Sequence, residues 1–152
     1  MSDTSPAPAG GDARTALSAI RHGLRTPINI IIGYAELMIE DAEDSGQPAL
    51  TPDLQEIAGQ GRQALAAVDR LLAEPSGPDD IADRSGLPAA LLPPIDHIRA
   101  ACSRLRGQLA EADGAGPSAD LGRIEAATEQ LRALVAQAAP DRLRTDEVPA
   151  GR

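Results

Sequence analysis

Residues 17–38 read LSAIRHGLRTPINIIIGYAELM, and their apolar spacing decides the fold. Leu17, Ile20, Leu24, Ile28, Ile31, Ala35 and Met38 succeed one another at steps of 3, 4, 4, 3, 4 and 3. Such steps put all seven side chains on one stripe of an α-helix, near the ~3.5-residue seam of left-handed helix packing. A strand would need alternation at period two. The stretch predicts a helix from about Ala13 to Asp44, ended by the acidic, Gly-containing segment Glu40 to Pro48. His22 falls off the stripe, so helical geometry turns it toward solvent or a partner. Pro27 sits inside the pattern, where it removes a backbone hydrogen bond and bends the helix.

Three further stripes follow. Thr51-Pro52 opens the second, with Thr51 as expected cap and Pro52 at the first helical position. Leu54, Ile57, Gly61, Ala64, Val68 and Leu71 face inward, and the helix stops before Pro75-Ser76-Gly77-Pro78. The third carries Leu91, Ile95, Ile98, Cys102, Leu105 and Leu109 and ends at Asp113-Gly114. Ser118 is the expected cap of the fourth, with Leu121, Ile124, Thr128, Leu131, Leu134 and Ala138 inward. The expectation is an all-α chain, an antiparallel four-helix bundle made of two helical hairpins. Its parts are a flexible arm at 1–12, a hairpin at 13–74, a linker at 75–87, a second hairpin at 88–139 and a flexible tail at 140–152. Ile20-Arg21-His22 precedes Ile95-Asp96-His97 by 75 residues. On that spacing the two histidines of the chain occupy the same place in each hairpin.

Composition agrees. Apolar residues make up 42% of the 152, yet Tyr34 is the one aromatic, so the core must be aliphatic. Beta-rich folds lean on aromatic and β-branched residues. All 14 basic residues are Arg, and 23 acids leave a net charge of −9. That balance disfavours nucleic-acid phosphates. One cysteine, Cys102, excludes an internal disulfide and a cysteine zinc cluster, and reads as a small buried hydrophobe. The apolar run Ile30 to Ile32 is far short of a membrane span. The N-terminus has no signal-peptide pattern, so the expected location is cytoplasmic. Two histidines far apart, without clustered carboxylates, make a poor metal site.

The run His22-Gly23-Leu24-Arg25-Thr26-Pro27-Ile28-Asn29, followed by Ile-Ile-Gly-Tyr-Ala-Glu-Leu, resembles the H-box of histidine-kinase dimerisation and phosphoacceptor domains. There the pattern is His-Glu-Leu-Arg-Thr-Pro-Leu. The resemblance covers the first hairpin well and the second in outline. It implies that His22 accepts a phosphoryl group on a ring nitrogen, since neutral imidazole is a competent nucleophile near neutral pH. It implies that Thr26 orients water when the domain acts as a phosphatase, that Arg25 fills a basic position, and that Pro27 supplies the helix bend. The family's acidic base after the histidine is Gly23 here, which cannot accept a proton. No Gly-rich nucleotide lid follows, so the chain does not read as a complete histidine kinase. Around His97 the pattern keeps the histidine and loses Leu-Arg-Thr-Pro, leaving His97 as a second candidate phosphoacceptor in a diverged copy.

The implied function is histidine phosphotransfer in two-component signalling. His22 would exchange a phosphoryl group with a receiver-domain aspartate, a separate histidine kinase acting as donor. Mg²⁺ is expected on the receiver, and this chain needs no cofactor. The alternative is a non-catalytic scaffold that docks a signalling partner without phosphate. A sensor bundle with a small-molecule pocket has no positive feature in its favour. One chain holding two hairpins points to a monomeric pseudo-dimer, with a homodimer also open.

Overall fold

The stripe that begins at Leu17 is the buried face of one long helix in the computed structural model, which describes residues 9–73, 86–112 and 115–138. Helix α1 spans Ala9–Asp44. Leu17, Leu24, Ile28, Ile31, Ala35 and Met38 are buried on it, and Ile20 is half-buried. After a 3-10 turn at Pro48–Leu50 come α2 (Thr51–Leu71), α3 (Leu87–Ala112) and α4 (Ala115–Ala138). Among the described residues there is no strand, and no helix is long and apolar enough to cross a membrane.

The helices close a ring in which α1 and α3 each pack on both α2 and α4. Ion pairs run in opposite directions along the two helices of each hairpin, so both hairpins are antiparallel. On the first hairpin Arg25 meets Asp69 and Glu36 meets Arg62. On the second, Arg99 meets Glu129 and Arg106 meets Glu125. Between hairpins, Arg104 reaches back to Asp53 at 2.9 Å, and the Arg123 guanidinium lies 5.6 Å from the Tyr34 ring centre. The core enclosed is aliphatic, with Leu54, Ile57, Leu91, Ile95, Ile98, Leu105, Leu121 and Ile124 fully buried. At ~25 cal/mol per Å² of apolar surface, such side chains supply most of what opposes chain entropy. Gly61 on α2 packs against Ile32 of α1. A Cβ built there would lie 2.7 Å from Ile32 Cγ1, so the residue lacks a side chain for a packing reason.

Several boundaries differ from expectation. Helix α1 starts at Ala9, through Gly10-Gly11, where an arm to residue 12 was expected. A glycine in a helix costs about 1 kcal/mol relative to alanine, less than a proline would, so the pair alone sets no helix boundary. Helix α3 starts at Leu87 and runs across Pro93-Pro94, with Pro94 buried. The expected linker lies almost wholly outside the described residues, as does the tail. Neither expected cap is one. The 3-10 turn runs straight into α2, so Thr51 is already helical and its buried hydroxyl has no partner. Ser118 lies inside α4, where its hydroxyl accepts a 2.7 Å hydrogen bond from Arg106 Nη1.

Candidate functional site

His22 is exposed on the outer face of α1. Leu17 and Leu24 turn inward on either side of it, and about 100° of rotation per residue leaves the imidazole pointing away from the core. The turn below it is unusual. Pro27 has no N–H, so the carbonyl of Gly23, four residues back, loses its helical donor. The Thr26 hydroxyl donates to the His22 carbonyl oxygen at 3.0 Å, a back-bond that itself bends helices. Pro27 is buried while Thr26 is exposed beside His22. Thus three of the expected site residues, His22, Thr26 and Pro27, share one turn and a half of helix.

Two arginines hold that turn. Arg25 Nη1 donates to Asp69 Oδ1 on α2 at 2.5 Å. Both side chains are over a third exposed, which keeps the pair below about 1 kcal/mol. Arg21 Nη1 donates to the Leu72 carbonyl oxygen at 2.5 Å, at the C-terminal end of α2. A cation there satisfies an orphan carbonyl and complements the helix dipole. The sequence reading passed over Arg21. The available signal was its spacing, since residues 21 and 25 are one turn apart and flank the histidine. The His22 backbone is thereby tied to α2 on both sides.

Gly23 is not required by packing. A Cβ placed on it meets nothing within 4 Å. The open space belongs to a cleft of about 330 Å³ between α1 and α4, lined by Ala19, Ile20, Gly23, Leu24, Leu134 and Gln137 among others. A carboxylate at position 23 would fit sterically, so the missing base is a chemical difference and not a steric compromise.

His97 does not stand where the 75-residue spacing put it. Buried positions of α1 and α3 coincide at an offset of 74: Leu17 with Leu91, Leu24 with Ile98, Pro27 with Ala101, Ile28 with Cys102, Ile31 with Leu105 and Ala35 with Leu109. An offset of 75 would set buried Leu24 against exposed Arg99 and buried Ile28 against exposed Ser103. In the packing register Asp96 takes the place of His22, and His97 that of Gly23. The second hairpin therefore keeps the Leu-like residue (Ile98) and the arginine (Arg99) but has lost the histidine, threonine and proline. His97 is exposed, one residue round the helix.

Cys102 is buried on α3, as expected. Desolvation, reinforced by Glu125 and opposed by Arg106, pushes its thiol up to about 12. It is accordingly no nucleophile near neutral pH. Among the described residues, no group of three or more His, Cys, Asp or Glu side chains could hold a metal.

Residues 12–75 match the family described as the His Kinase A (phospho-acceptor) domain. No ATP-binding family matches beside it. No curated protein and no solved structure matches the chain. The matched span takes in α1 from its second turn together with all of α2, so His22, Thr26 and Pro27 all fall within it. The α1–α2 hairpin is thus the part of the chain that is similar to a His Kinase A (phospho-acceptor) domain.

Proposed function

We propose that His22 is the phosphoacceptor and that it exchanges a phosphoryl group with the aspartate of a response-regulator receiver domain. A separate histidine kinase is the first donor. The observation that carries this reading is the exposed imidazole on a turn tied to α2 through Arg21 and Arg25. A group that must enter another protein's pocket needs exposure and a fixed base, and His22 has both. Ile30 and Leu37, 36% and 44% exposed, lie further along the same outer half of α1 and offer apolar contact to a docked partner.

Transfer from a receiver balances without a base on this chain. The imidazole nitrogen attacks phosphorus with its lone pair, and the N–P bond forms as the acyl O–P bond breaks. The electron pair returns to the aspartate as carboxylate, so no proton must leave for the bond to form. Gly23 is compatible with this direction. Mg²⁺ on the receiver would screen the phosphoryl charge; nothing on this chain has to hold it.

The test is acid-labile phosphorylation of the full chain by radiolabelled phospho-receivers, with wild type beside His22→Gln and His97→Gln. Label is expected in wild type and His97→Gln and absent from His22→Gln. A wild-type chain that binds a receiver yet takes no label would instead establish the scaffold reading.

A further inference from the structure

We infer that this chain is a built-in dimer of hairpins blunted on one side, presenting a single docking face for one receiver per chain. The inference rests on the phosphotransfer reading for the nature of the partner, and on packing for the rest.

The second pair of helices repeats the first as α3 repeats α1. Helices α2 and α4 coincide at an offset of 67, with Leu54 on Leu121, Ile57 on Ile124, Gly61 on Thr128, Ala64 on Leu131 and Val68 on Val135, every one buried. Three of those pairs are identical residues, and Asp53 with Asp120, Gln63 with Gln130 and Ala66 with Ala133 add matches at outward or half-buried positions. The offset falls from 74 to 67 because α3 ends earlier in the shared register than α1 does and α4 starts three residues after that end. Each hairpin uses the other as the partner that buries its stripe, and α1 packs on both α2 and α4. A second copy is not needed to cover the core.

The two outer faces have parted. Where α1 presents His22, Thr26 and Ile30, α3 presents Asp96, Ala100 and Arg104. Each replacement removes something a receiver would use. A carboxylate in place of the imidazole offers no nitrogen nucleophile and sets negative charge against an incoming phosphoaspartate. Ala100 has no hydroxyl. Arg104 puts a guanidinium where α1 exposes an apolar side chain, and it is tied across to Asp53 at 2.9 Å. Arg25 with Arg99 and Gly33 with Gly107, the glycines each with nothing within 4 Å of an added Cβ, are pairs on these helices left unchanged near the site. His97, turned about 100° from the acceptor position, faces a surface without these partners.

The experiment combines sedimentation of the purified full chain with native mass spectrometry against a panel of isolated receiver domains, and site-resolved counting of transferred label. The expected results are a 15.7 kDa species, one receiver bound per chain, and one phosphoryl group per chain that vanishes in His22→Gln. An obligate dimer of chains, two receivers per chain, or label persisting on His97 in His22→Gln would overturn the inference. A monomer that binds one receiver and takes no label sinks phosphotransfer and leaves the one-sided bundle standing. A chain that binds no receiver sinks both.

Discussion

The α1–α2 and α3–α4 hairpins share a core and part most on the outer faces of α1 and α3 around His22. Position by position the inward residues keep their register, because a buried site fixes size and period and a one-residue slip would expose the whole stripe. Outward positions feel no such constraint. The contrast is sharpest in the turn around His22. There α1 carries Gly23, Thr26 and Pro27, a poor helix former, a back-bonding residue and a breaker within five residues. At the last two of these places α3 carries Ala100 and Ala101, the best helix former twice.

This equivalence of cores can be broken by experiment. If the hairpins form one cooperative unit, Leu24→Ala and Ile98→Ala should each cost about 2–5 kcal/mol in urea unfolding. Two transitions, or a several-fold difference between the variants, would mean that the hairpins melt separately. Ala101→Pro copies the α1 breaker into α3 and is expected to cost about 3 kcal/mol, since His97 stands at the carbonyl position that Gly23 relaxes in α1. A neutral result would show that the bend is intrinsic to the shared register. Gly61→Val should cost about 1–3 kcal/mol by driving a side chain into Ile32. At the matching place on α4, Thr128→Val should stay within about 1.5 kcal/mol, because Thr128 donates to the Ile124 carbonyl within its own helix.

One more asymmetry between the hairpins is a pH dependence that originates on α3. Cys102 corresponds to Ile28, which cannot titrate. Its thiol is raised from 9.0 to about 12 in the folded state by burial and by Glu125. A raised pKa means that its stabilisation is complete below the unfolded value and is lost as pH climbs from 9.0 toward about 12. The urea midpoint should therefore fall with pH across that window, and Cys102→Ala should flatten part of the fall. Equal slopes for the two proteins would place the titration elsewhere.

The stripes were legible because burial leaves a period in the residues themselves. Leu17 to Met38 named a helix and its core face, and the same period placed His22 outside and Cys102 inside. The H-box was legible because its residue types are unusual together, a histidine off the stripe and a proline within it. By contrast, the 75-residue spacing of the two histidines misled, since it aligned residue names where packing aligns volumes. Thr51 and Ser118 have the chemistry of caps, but chain entry at the 3-10 turn and the early start of α4 put both inside helices.

By itself, then, the sequence determined the helical class, the four inward stripes and the exposed histidine, all of which follow from periodicity within one segment. Tertiary structure alone decided that Asp96 and not His97 takes the place of His22 in the packing register, that Arg21 reaches the end of α2, and that Gly61 admits Ile32. Each of these is a relation between helices, and the rotation and depth of one helix against another are set by the packed volumes of both.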